Sequence, residues 1–374
     1  MRYTRRMIMK IKRIISLIIV QMLCVFMLAG CSGNAQQAQG EGVALVGEQI
    51  ISVEDAKKTV VFTIEEEDVT LDEMYLYYIQ YLFNNKVTAE QMNDAKKAEL
   101  DSTVVSQMMV DTVEYLLALQ MEELEVTDED LAESQKGAEN FYNFFGEGTL
   151  ANYGIDKATV EELFRKQTYV AAVTNKAIED LSKSNLEQYE EEYKDLNFHS
   201  ITYALFPSIA YDEEGNKVSD EAGNNVSLSE SEMKQQLAKA QELQKRAASG
   251  EKTMEELIEE YGVSHCSGVE RNYEGAYAKE LNDVVKALNE GDVSEVITMD
   301  AGYMVARMDK KNDQEYKDYM ISYAAQQMAQ SLLPKMQEKW AEQAGLDKVV
   351  VDEKTVSAID AKAICGEMKM KGLY

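Results

Sequence analysis

The sequence predicts an α+β protein: a helical body, made of N-terminal helices and a returning C-terminal helix, into which a smaller α+β domain is inserted. Three observations lead there. Residues 69–196 carry helical periodicity alone. Residues 197–310 mix two-residue alternation with short helical stretches. From residue 313 a long amphipathic pattern returns.

The chain starts with six basic residues and no acidic one within its first thirteen positions, followed by an apolar run from Ile14 to Gly30. That order, closed by Leu28-Ala29-Gly30-Cys31, reads as a secretory signal over residues 1–30. Its end resembles the lipobox of bacterial lipoproteins, in which the cysteine is lipidated. The expectation is a protein cut before Cys31 and held by lipid on the outer face of the cytoplasmic membrane. Residues 31–58 then form a tether and linker, with Ser32 to Gly42 small and polar. Removing the leader takes away six basic residues and no acidic one, so the formal charge moves from −29 to about −35. So acidic a surface repels nucleic acid, and no nucleic-acid partner is expected.

Residues 59–196 form the helical N-terminal domain. Thr59-Val-Val-Phe-Thr63 is its most strand-like stretch. Pairs of the capping-box type, Thr70 with Glu73, Thr88 with Gln91, Thr159 with Glu162 and Ser184 with Glu187, mark helix starts. Residues 99–124 read as one long helix with Val104, Val105, Met108, Met109, Val113, Leu116, Leu117 and Leu119 as its apolar set.

Residues 197–310 form the inserted domain. Ile201, Tyr203 and Leu205 alternate with polar or small neighbours, as in a strand, and Pro207 closes it. The duplicated Asp212–Ser219 and Asp220–Ser227 each carry a Gly-Asn pair, which suits a surface hairpin. Helices follow over 229–249 and 254–261, then a loop or strand over 262–275, a helix over 277–289 and strands over 293–297 and 303–308. Residues 311–374 are the C-terminal helix, to about Gln343, and a tail packing on the helical domain.

Beyond Cys24 and Cys31, Cys266 and Cys365 remain, read as two thiols whose pairing is left open. With two histidines in the chain, soft ligands are too few for a structural zinc site, and no nucleotide-binding glycine pattern occurs. No cofactor or metal is expected. His265 beside Cys266 suggests Cys–His catalysis only superficially, because adjacent residues of an extended chain point apart.

With these parts in place, a resemblance is visible. Leu281-Asn-Asp-Val-Val-Lys-Ala-Leu-Asn-Glu-Gly-Asp-Val-Ser-Glu-Val-Ile297, Asp300-Ala-Gly-Tyr-Met-Val-Ala-Arg307 and Met254-Glu-Glu-Leu-Ile-Glu-Glu-Tyr261 resemble segments of parvulin-type peptidyl-prolyl isomerase domains. Together with the lipobox and the helical body, the chain resembles the PrsA-type foldase lipoproteins, relatives of the chaperone SurA. The resemblance implies a SurA-like helical chaperone domain, a parvulin-like insert and unfolded or folding exported polypeptides as partners; a homodimer is left open. It places the family's two histidines at Tyr203 and Met304, so both are replaced. It implies a proline pocket walled by Tyr277 and Leu281, with the family's acid at Val269 or, one residue on, Glu270. Apolar and aromatic groups can hold a proline ring, but Met304 cannot make a histidine's hydrogen bond, whereas Tyr203 can donate one. A catalytically dead, binding-only chaperone is the alternative. A solute-binding lipoprotein would alternate strands and helices across two lobes, and residues 69–196 do not.

Overall fold

A computed structural model describes residues 43–46, 49–212 and 214–370, with side chains described from residue 54 to 369. Cys31, the leader and the tether to Gly42 lie outside the described residues. Two compact units result: residues up to Ser182 together with those from Gln326 onward, and Lys183–Ala325. Among the described residues no helix is long and apolar enough to cross a membrane. The α+β class holds, although two hairpins stand in the first unit, and strands and a helix occupy residues 43–58 of the stretch read as tether and linker.

The first unit opens with two hairpins, β1 (Val43–Val46) with β2 (Gln49–Ser52), and β3 (Val60–Ile64) with β4 (Glu67–Thr70). Helix α1 (Val53–Lys58) lies between the hairpins in sequence. Helix α2 (Leu71–Asn84) starts at the Thr70–Glu73 pair, as the sequence indicates. Leu71, Met74, Tyr75, Leu76, Tyr78, Ile79 and Leu82 are all buried. A helix apolar nearly all round belongs at the centre of a body, and α2 is that centre. Helices α3 (Asp94–Gln120), α4 (Asp128–Phe145), α5 (Glu147–Ala151) and α6 (Lys157–Tyr193) follow.

Several sequence-read boundaries are corrected. The Thr88–Gln91 pair is bonded, Thr88 N to Gln91 Oε1 at 3.0 Å, but α3 begins later, capped by Asn93. Asp156, not Thr159, caps α6, accepting from Thr159 N at 2.9 Å. Ser184 falls inside α6 and starts nothing. Leu119 stands in solvent, while Asp111 and Glu114 on the same helix are buried. The tail is helical: α11 (Glu353–Ala358) and α12 (Ala361–Met370) put Val356, Ile364, Cys365 and Met368 into the helical core.

The second unit is built on a four-stranded antiparallel sheet, order β6-β5-β8-β7, from β5 (Phe198–Pro207), β6 (Gly268–Tyr273), β7 (Ile297–Met299) and β8 (Gly302–Lys310). Helices α7 (Glu230–Ala248) and α8 (Met254–Glu260) share a core with one face through Ala204, Phe206, Leu243, Leu257 and Val305. Helix α9 (Lys279–Ala287) covers the other through Ile201, Leu281, Val285, Ala306 and Met308. Helix α10 (Gln314–Gln343) runs from this unit into the first, with Pro334 inside it. The expected strand over 293–297 is mostly loop. Val293 makes a lone bridge to Arg307, and β7 begins at Ile297.

The duplicated insert is not a single hairpin. It makes three passes eight residues apart, Val218 N donating to Ala210 O, Val226 N to Val218 O and Ala210 N to Val226 O. Each repeat is closed by its own aspartate: Asp212 accepts from the backbone N–H of Glu214 and Asn216, and Asp220 from those of Ala222 and Asn224. That local bonding is what makes Asp-x-x-Gly-Asn a turn.

Candidate functional site

Alternation along β5 sends Ile201, Tyr203 and Leu205 to the α9 face and Thr202, Ala204 and Phe206 to the other. Register then sets the rows across that face. Glu270, Ile201 and Met308 form one row, Gly268, Tyr203 and Ala306 the next, and Leu205, Met304 and Ile297 a third. Tyr203 and Met304 thus share a face and sit diagonally, a relation of roughly 7–8 Å that long side chains bridge.

Helix α9 covers one end of the face and leaves the other end half-buried. Under α9, Tyr277 and Leu281 are buried with Ile201 and Met308. The Tyr277 hydroxyl donates to His199 O at 2.9 Å and lies 3.4 Å from Asn272 O, so it ties β5 to the end of β6. These two residues therefore form the floor's support and not an open wall. Toward the other end Tyr203, Leu205 and Met299 are half-buried, with Met304 only 6 % exposed between them. Gly268 is the cross-strand neighbour of Tyr203. Beyond Gly268 side chains continue the ladder, Ser267 Oγ accepting from Leu205 N at 3.0 Å and the Cys266 thiol donating to Leu205 O at 3.0 Å. Leu205 is thereby fixed although β6 has ended.

Val269 is a correction. It pairs with Thr202, points to the face opposite the slot and is 63 % exposed. The acid on the slot face is its neighbour Glu270, because a shift of one residue in a strand exchanges the faces. Burial raises the Glu270 carboxyl above the ordinary carboxylate range. Burial first, and then the nearby Glu270, raise the Tyr203 phenol, which is a neutral O–H donor throughout the physiological range. The slot thus offers an apolar floor of Leu205, Met304 and Met299, one phenol donor and one carboxyl group. Leu205 and Met299 are the members that sequence reasoning did not place as pocket residues, whereas Glu270 was the alternative it gave for the acid. Strand alternation from Tyr203 and Met304 would have found the first.

Neither histidine joins this site. His199 is buried, its Nδ1 against Lys311 O and its Nε2 without a hydrogen-bond partner. His265 packs its ring on Tyr211 at 4.6 Å. Burial pushes the Cys266 thiol up to about 11, so no thiolate nucleophile forms near neutral pH.

With that geometry in hand, comparison with known proteins is informative for the insert. Residues 208–320 match the family of the PPIC-type PPIASE domain. The match includes Tyr277, Leu281 and Met304 and begins just after β5, the strand that carries Tyr203. No curated protein matches the chain. Among solved structures, the foldase protein PrsA from Lactococcus lactis is 13% identical, with 83% of this chain and 98% of that one covered and a TM-score of 0.39. Foldase protein PrsA from Streptococcus pneumoniae is 14% identical over 80% and 97% of the two chains, TM-score 0.34. PrsA from Bacillus subtilis is 17% identical over 75% and 93%, TM-score 0.25. At such identities and scores, the domain match is the finding that bears on chemistry.

Proposed function

We propose that this protein is a lipid-anchored extracytoplasmic foldase whose parvulin-like domain grips Xaa–Pro segments of exported polypeptides in the Tyr203–Met304 slot. The observation that carries the reading is the PPIC-type match over residues 208–320, next to a half-buried apolar face on which Tyr203 is a neutral donor. Attachment through Cys31 is supported by the basic start, the apolar run and Leu28-Ala29-Gly30-Cys31.

The chemistry asks little of a protein. An Xaa–Pro bond turns slowly because twisting it costs amide resonance. Leu205, Met304 and Met299 hold the pyrrolidine ring out of water, which favours the less polar twisted amide. As the twist returns a lone pair to the prolyl nitrogen, that nitrogen becomes an acceptor for the Tyr203 hydroxyl. This bond strengthens only toward the transition state, so it accelerates the reaction and does not merely bind. No nucleophile or proton transfer is involved.

A second reading, binding without turnover, is favoured by Met304, whose thioether is a weak acceptor and donates nothing. One experiment separates the two. NMR exchange spectroscopy on a short Xaa–Pro peptide, with the full chain in detergent micelles, reads cis–trans exchange directly. Exchange faster than in free peptide supports the isomerase. Shifted peptide resonances with unchanged exchange support the binding module. Neither effect would refute the proposal.

A further inference from the structure

We infer that the tyrosine row at the start of α10 is a docking surface for cationic, extended polypeptide. Tyr316, Tyr319 and Tyr323 follow one another at helical steps of three and four, which puts them on one face. Successive ring centroids are 6.0 Å apart with planes inclined by 19° at both steps. The row is anchored at one end. Tyr316 meets buried Phe198 at 5.8 Å, and Phe198 in turn meets Tyr193 and Tyr273. The other end stands in water, Tyr319 58 % and Tyr323 45 % exposed.

The chain itself shows what such a ring takes. The Arg271 guanidinium sits over the Tyr316 ring, 5.8 Å from its centre, so the first ring is occupied by an internal cation. Tyr319 and Tyr323 present the same kind of π face, and among the described residues no cation of this chain lies over either. The surrounding charge selects the same ligand. Asp318 beside Tyr319, and Glu190 and Glu192 beside Tyr189 and Tyr193, are exposed. The nearby bases are engaged: Lys310 pairs with Asp313 and Glu315, and Lys317 donates to the carbonyls of Lys194 and Leu196. On a chain of formal charge −29 this patch attracts cations and repels acids. An arginine or lysine side chain placed over each free ring gains the cation–π attraction already seen at Tyr316. An extended chain has the reach to place two such side chains along the row. The surface shares no residue with the Tyr203–Met304 slot and makes no demand on proline.

The test is fluorescence anisotropy with a labelled twelve-residue peptide of alternating Arg and Ser, titrated with the full chain in detergent micelles. Tyr319→Ser with Tyr323→Ser removes both exposed rings, and the matching Phe pair keeps them. The serine pair should weaken binding by about fivefold to thirtyfold, the effect of two exposed cation–π contacts. The phenylalanine pair should stay within about threefold of the parent, and a Glu-for-Arg peptide should not bind. Equal affinity for the parent and the serine pair would overturn the inference. So would equal binding of the Glu peptide or of a neutral Pro-rich peptide, or a row that proves to mediate self-association by sedimentation. Because the probe contains no proline, failure here leaves the isomerase reading standing, and the reverse also holds.

Discussion

Glu114 is buried in the helical body between three helices. Its carboxylate accepts from Thr174 Oγ1 of α6 at 3.0 Å and from Gln337 Nε2 of α10 at 2.7 Å. Burial, and then the neighbouring Asp111, push its pKa from 4.5 up to about 8. The folded protein therefore keeps a proton at pH 7 that the unfolded chain gives up. A carboxyl raised in the folded state costs nothing below its unfolded pKa. Its cost grows as pH rises from 4.5 and levels off above the folded value. Over the 2.5 units between 4.5 and pH 7, at about 1.4 kcal/mol per unit, the cost reaches about 3 kcal/mol. Glu114→Gln reproduces the protonated form, its oxygen accepting from Gln337 and its amide donating to Thr174. The expected outcome is a variant as stable as the parent near pH 4.5 and about 3 kcal/mol more stable at pH 7. Urea unfolding followed through Trp340, which packs against the helical core, reports on this unit specifically. Equal stability of parent and variant at both pH values would refute the account of Glu114.

Other outcomes follow from the sheet domain. Gly302 has φ +137°, and a Cβ there would stand 2.1 Å from Phe206 O; Gly302→Ala should lower stability by about 3 kcal/mol or prevent folding of this domain, read by chemical denaturation. Val269→Ser, on the face away from the slot, should leave peptide exchange and stability within about 0.5 kcal/mol of the parent. Met304→His restores a ring N–H at a position 6 % exposed, and exchange catalysis should rise several-fold by the NMR assay.

Much of this fold was legible because burial and periodicity agree. Seven of the eight apolar positions read on α3 are buried or line the core, Leu119 alone standing in solvent, and Ile201, Tyr203 and Leu205 do share a face. Failures occurred where long-range packing overrides the local signal. Ser184–Glu187 has the letters of a cap but continues a helix already under way, since nothing in four residues says whether a turn precedes them. Helices α11 and α12 are short, and what holds them is the burial of Ile364, Cys365 and Met368 in a core made by distant residues. Nothing in the local sequence marks Asp111 and Glu114 as buried, because their partners Tyr77, Thr174 and Gln337 come from distant parts of the chain. Tyr203 and Met304 do share one face of the sheet, but Tyr277 and Leu281, expected as a pocket wall, are buried beneath α9. Of the two positions offered for the acid, Val269 and Glu270, it is Glu270 that faces the slot, because only the β5–β6 register, not the local sequence, decides which of two neighbours faces inward.

The central claim is that Tyr203 turns an apolar slot into a prolyl isomerase. Refolding of a client limited by one Xaa–Pro bond, at substoichiometric full chain, tests it when the parent is set beside Tyr203→Phe. The account expects the parent to speed the slow phase and the variant to lose about fivefold to tenfold of that acceleration, the worth of one hydrogen bond made in the transition state. A slow phase accelerated equally by both proteins, or by neither, would contradict it.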